Sequence, residues 1–181
     1  VERLRPWGRG VDAVRFNPTR KSAAWRERVA GNRLIVGYVG RLAPEKQGED
    51  LVVLSGIPNV KLVIVGDGPS RESLEATLPD AHFTGFLSGD ELARAVASFD
   101  VFVHPGEAET FCQTVQEALA SGVPVVATGK GGPVDLVHSS VDGWIYEPGN
   151  LSDLRNRVED LIGDSAKRGA FGRAARMSVR E

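Results

Sequence analysis

Cysteine occurs once in these 181 residues, at Cys112, so no internal disulfide can hold the chain together, and a lone thiol suits a reducing compartment. No apolar run reaches the roughly 18 residues that a membrane-spanning helix needs. The three histidines, His82, His104 and His138, show none of the spacings of a metal site. Tandem repeats and low-complexity tracts are both absent. The net charge is −2, which gives no overall basic excess, and no nucleic-acid partner is expected. Within that balance residues 1–28 carry eight Arg/Lys against three Asp/Glu, leaving −7 for the rest. Such a basic stretch serves a solvated face, and it equally suits an anionic lipid or an acidic neighbour.

What is present is glycine and proline in number, with apolar runs between them, as in an α/β protein of many short turns. The length allows one domain with a proper core. The chain opens on Val1, and its first clear strand starts only near Arg33. Residues 1–32 therefore read as a lead-in from a preceding domain, with a short helix near Ser22–Val29, and residues 33–181 as the domain itself. Strands are expected at Leu34–Gly40, Val60–Gly66, His82–Gly85, Val101–His104, Pro124–Thr128 and Trp144–Tyr146. Helices are expected between them, at about Gln47–Leu54, Pro69–Leu78, Ser88–Ser98, from near Thr110, and at Val134–Ser139. Two more, at Ser152–Ile162 and Ala166–Val179, complete the chain. Pro69 suits a first helical turn, and Ser88 with Glu91 has the spacing of a capping box. This alternation predicts a doubly wound parallel sheet. Such sheets bind ligands beyond the carboxyl ends of their strands, and Arg41, Asp67 and Glu109 all fall just after strands.

The richest stretch runs from His104 to Glu117. Pro105 and Gly106 break the fourth strand, and a helical pattern follows with Phe111, Val115, Ala118, Leu119 and Gly122 on one core face. Glu109 precedes the helix, and Glu117 lies off the core face in line with Gln113. At a rise of about 1.5 Å per residue, a helix begun near Thr110 puts Glu117 roughly 9 Å from its first residue. Two carboxylates then bracket a helix N-terminus, whose free amides attract phosphate. A nucleotide sugar, with hydroxyl-rich rings at both ends and phosphates between, suits that layout. Spacing alone is also met by a solvated glutamate and by one that serves the helix dipole.

Glu109 and Glu117, followed by Ala118-Leu119-Ala120-Ser121-Gly122-Val123-Pro124-Val125-Val126-Ala127, resemble the signature of retaining GT-B glycosyltransferases of family 4. The string Glu109-Thr110-Phe111-Cys112-Gln113-Thr114-Val115-Gln116-Glu117-Ala118 is similar to actinobacterial GDP-mannose-dependent mannosyltransferases that build envelope glycolipids. The resemblance extends from Gly10-Val11-Asp12, which in the family marks entry into the second domain, to the last helix. It implies the C-terminal half of a GT-B fold, Rossmann-like, binding a nucleotide sugar.

It also implies roles. Glu109 would hold the donor sugar and Glu117 the ribose, with amides around Phe111, Cys112, Gln113 and Thr114 on the phosphates. Arg41, next to Gly40, and Lys46 match the family's Gly-Arg…Glu-Lys motif, whose cations bind the diphosphate in place of a metal. An Arg fork and a Lys point charge are also what a departing pyrophosphate needs chemically. Gln47-Gly48 stands where the family has glycine directly after the lysine, as if one residue were inserted. Asp67 and Gly68 form a turn near the base or ribose; a dinucleotide fingerprint fails there because Arg71 occupies its third glycine position. Phe86 and Leu87 correspond to a segment that contacts the nucleobase. No metal and no other cofactor is expected. The implied donor is GDP-mannose and the implied acceptor is lipid-linked, held by an N-terminal domain. The implied location is the cytoplasm, peripheral on the inner membrane face. A UDP-sugar donor on the same fold, or a non-catalytic nucleotide-sugar-binding module, are the alternatives.

Overall fold

The computed structural model describes residues 10–108 and 112–180. Among them six strands form one sheet: β1 Leu34–Val39, β2 Val60–Val65, β3 His82–Gly85, β4 Val101–His104, β5 Val125–Thr128 and β6 Gly143–Tyr146. All neighbours pair in parallel, in the order β3-β2-β1-β4-β5-β6. The connecting α-helices are α1 Ala23–Ala30, α2 Arg71–Thr77, α3 Gly89–Ala97, α4 Gln113–Ala120, α5 Pro133–Leu136, α6 Leu151–Ile162 and α7 Ser165–Arg180. The expected doubly wound, Rossmann-like sheet is present.

Parallel strands need helical crossovers, which cover both faces, so each strand must be apolar on both sides. β1 is buried from Ile35 to Val39. Its alternate residues part company: Ile35 and Val39 join a core with Phe102, Val115 and Leu119, whereas Val36 and Tyr38 join one with Leu154 and Val158. That is the period of two that a pleated strand imposes. Residues 10–32 are bound into the domain as well. Arg26 Nη1 donates to Asp100 Oδ2 at 2.9 Å, and the same carboxylate accepts from the Ile35 amide at 2.7 Å. Arg176 Nη1 donates to the carbonyls of Ala13, Phe16 and Ala120 at 3.1, 3.0 and 2.8 Å.

Several local expectations are corrected. Residues 48–54 form a 3-10 helix rather than an α-helix, preceded by a 3-10 turn at Pro44–Lys46. Pro69 lies before α2, not in its first turn. Ser88 does occupy the cap of α3, but its side chain caps nothing, because Gly89 turns left-handed at φ 58° and redirects the chain. The helix α4 runs from Gln113, and Cys112 just before it is left-handed; the expected start near Thr110 lies outside the described residues. Val134–Ser139 shrinks to the single turn of α5.

The loop after β2 lies directly on the loop after β1. The Leu42 amide donates to the Asp67 carbonyl at 3.0 Å, and the Ser70 amide to the Leu42 carbonyl at 2.8 Å. Gly66, at φ 140°, makes this approach possible, since a Cβ there would overlap the Gly40 carbonyl oxygen. We expect Gly66→Ala to cost about 2–4 kcal/mol, strain and overlap together. Gly56→Ala, also at positive φ but with open space around the new Cβ, should cost only about 1 kcal/mol. Urea unfolding of the two variants checks the contrast.

Candidate functional site

Because the strands run one way, their carboxyl ends share a rim, and the strand order reverses between β1 and β4. The flanking connections leave on opposite faces there, which opens a crevice. Its walls are Tyr38, Val39, Gly40, Arg41 and Lys46 from the end of β1 and the loop after it, His104 and Gly106 from the end of β4, and Gln113 and Thr114 from α4; they enclose about 220 Å³. Gly40, Arg41, Lys46, Gln113 and Thr114, all singled out in the sequence, are therefore brought together in one cavity.

Each wall has a local cause. Cys112 sits at φ 44° and ψ 54°, a conformation that a residue with a Cβ adopts only when its surroundings over-determine it. It is buried, with Sγ 3.9 Å from Nε2 of the buried His104. The N-cap residue Cys112 makes no side-chain hydrogen bond to α4, and the amides of a helix's first turn, here those of Gln113 and Thr114, have no intrahelical acceptor. Gln113 Oε1 is buried and makes no hydrogen bond, an open acceptor in the wall.

Glu117 stands one helical turn in from Gln113, about 6 Å along the axis, and it is half-buried. Burial pushes its carboxyl up to about 7, with a hydrogen bond from Gln113 acting in the opposite direction. Glu109 and Phe111 lie outside the described residues.

Arg41 is exposed and Lys46 half-buried at the end of its 3-10 turn. The next residue, Gln47, is left-handed at φ 57° and ψ 33°. Glycine takes that conformation most cheaply, so Gln47 holds a position that glycine would suit. Its Oε1 accepts the Glu107 amide at 2.8 Å, and Glu107 Oε2 lies 3.5 Å from Lys130 Nζ. The loops after β1, β4 and β5 are thus tied across the rim. Beside them, burial raises the Asp50 carboxyl above its ordinary value, with Glu49 and Glu107 adding to it.

The other predicted residues stand apart from this cavity. Asp67 accepts from the Gly68 amide at 2.8 Å and pairs with Arg71 at 3.0 Å, while Gly68 lies against Leu42. Phe86 is 77% exposed on the rim after β3. Leu87 packs toward the core and lines a separate hollow with Trp25, Arg28 and His82. Residue-by-residue reading passed over Glu107 and Lys130. It noted Gln47 only as an irregularity, although a glutamine at a glycine position was a usable signal. Among the described residues no three His, Cys, Asp or Glu side chains converge as metal ligands, and no helix is long and apolar enough to cross a membrane.

Comparison with known proteins gives this geometry a context. The family described as glycosyl transferases group 1 matches residues 19–178. A GDP-mannose-dependent alpha-mannosyltransferase of Mycolicibacterium smegmatis is 51% identical over 181 residues, covering 99% of this chain and 48% of that protein. The protein of the same description from Corynebacterium glutamicum is 46% identical, covering 97% and 43%. The chain thus spans less than half the length of either relative. Among solved structures, Anabaena HepE in complex with UDP and glucose superposes with a TM-score of 0.83 at 26% identity, over 94% of this chain and 50% of that one.

The raised Glu117 carboxyl gives a pH test. Its native value of about 7 lies above the ordinary 4.5, so its neutral form is the one the fold favours. The associated stability is full below about pH 4.5 and is lost as pH rises through 7. Glu117→Gln, which keeps the neutral shape, should raise Tm at pH 8 by about 2–4 °C, the effect of about 1 kcal/mol after discounting for partial exposure. At pH 4 variant and parent should melt together. Thermal melts at the two pH values check this.

Proposed function

Because this chain belongs to the glycosyl transferases group 1 family, we propose that it is the nucleotide-sugar-binding domain of a retaining glycosyltransferase that moves mannose from GDP-mannose to a lipid-linked acceptor. The observation that carries the reading is the convergence of Gly40, Arg41, Lys46 and the start of α4 on one crevice at the switch point. Two cations and the first-turn amides of a helix suit a diphosphate better than any neutral ligand.

In this reading the diphosphate lies across the first turn of α4. Arg41 and Lys46, in place of a metal, neutralise the charge that develops as the glycosidic bond breaks. Glu117 receives the ribose hydroxyls, which a half-buried carboxylate binds as an acceptor. Glu109 holds the sugar. The acceptor is held by the part of the relatives that this chain does not span, and attack on the anomeric carbon comes from the face the diphosphate leaves, preserving configuration. The whole protein works in the cytoplasm on the inner membrane face. Asp67 and Phe86 stand on the neighbouring rim, where the base end of a nucleotide would extend. The likeness to HepE, solved with UDP and glucose, favours a UDP-sugar as the second reading, and the much higher identity to two GDP-mannose-dependent relatives supports the first.

Calorimetric titration separates them. GDP and GDP-mannose should bind at least about tenfold more tightly than UDP and UDP-glucose, or roughly 1.4 kcal/mol. Equal or tighter UDP binding removes the mannosyl-donor assignment and leaves the fold untouched. Arg41→Ala should weaken GDP by about 1.5–3 kcal/mol, the worth of a charged phosphate contact, and leave guanosine unchanged. An equal loss for both ligands would show that Arg41 does not touch phosphate.

A further inference from the structure

We propose that Gln47 is a positioning residue that sets the width of the donor crevice, an inference that rests on reading the crevice as a diphosphate site. Two observations meet at this side chain. Its backbone is left-handed, which an L-residue with a long side chain holds only at a cost that glycine avoids. Its Oε1 accepts the amide of Glu107, 60 residues away in sequence, at 2.8 Å. Glycine would relieve the backbone but could not reach Glu107, so the bond across to the loop after β4 depends on this side chain.

What it does is join the two walls. Lys46, the residue before Gln47, and Arg41 belong to the β1 side of the crevice, while Gly106, the residue before Glu107, belongs to the β4 side. One hydrogen bond between their immediate neighbours therefore fixes how far the cations stand from the loop that leads into α4. Glu107 is held a second time, by Lys130 from the loop after β5 at 3.5 Å, so the bond anchors the β1 loop to an already tethered partner. A diphosphate must touch both walls at once, so its affinity depends on that separation. A nucleoside, which in the proposed reading meets Glu117 and the neighbouring rim without bridging the two walls, does not need it.

The test compares Gln47→Met, which keeps the reach and loses the acceptor, with Gln47→Gly, which also releases the left-handed backbone. GDP and guanosine are titrated calorimetrically against each variant and the parent, and Tm is recorded for all three. We expect GDP to weaken about five- to tenfold in both variants, the scale of one lost hydrogen bond. Guanosine should stay within about twofold of the parent, and the glycine variant should melt at or above the parent's Tm. A purely structural glutamine would instead lower Tm on replacement by glycine and leave the ratio of GDP to guanosine affinity unmoved; either result overturns the proposal. If the parent binds both ligands and only the variants fail to differ from it, Gln47 loses its role and the donor site stands. A parent that binds neither GDP nor guanosine contradicts both.

Discussion

Parallel pairing of β1 with β2 on one side and β4 on the other is the constraint from which the rest follows. Strands that all run one way require a crossover after each, and the crossovers leave both faces of the sheet covered. Burial then dictates the apolar runs of β1, β2 and β4, and the two cores they separate. It also leaves a single place where consecutive connections diverge. The crevice between β1 and β4 is a consequence of strand order, and any polar chemistry the domain performs is concentrated at its mouth.

The mouth is built from backbone under tension. Cys112 and Gln47 are both left-handed, and each stands immediately beside a residue that lines the cavity, Gln113 in one case and Lys46 in the other. Gly66 lets the loop after β2 press on the Gly40 carbonyl, which braces the β1 loop from the far side. Strain of this kind persists where the surrounding structure over-determines it, and such places cluster at ligand sites. Glu117 fits the same pattern, a carboxyl held half out of water with its titration shifted toward neutrality. Left-handed residues also occur away from the mouth, at Asn59 and Ser140, and there Arg26, Asp100 and Arg176 tie loops and helix ends by hydrogen bonds.

Much of this was legible in the residues. Apolar runs bounded by Gly and Pro located all six strands, because a strand buried on both faces leaves a dense signal. The spacing of Val115, Ala118 and Leu119 located the core face of α4. Less legible were features set by backbone conformation rather than by pattern. The left-handed cysteine just before α4 is one, and nothing in local propensity announces it. The capping box at Ser88 and Glu91 failed because Gly89 turns the chain before the hydroxyl can reach back. Leu87 packs toward the core while Phe86 is exposed, since neighbouring residues on an extended segment face opposite ways, and the residue types alone did not say which would face in. The tie between Gln47 and Glu107 spans 60 residues, a distance at which no periodicity operates.

The central claim is that the donor nucleotide sugar occupies the crevice between β1 and β4. Amide chemical-shift mapping of the domain titrated with GDP-mannose tests it most directly, because the backbone reports position without substitution. The account predicts that the large shifts fall at residues 40–47, 104–108 and 112–117, on the walls of one crevice. Shifts that leave those residues unmoved and gather instead around Trp25, Arg28 and His82, in the hollow beside α1 and β3, would contradict it.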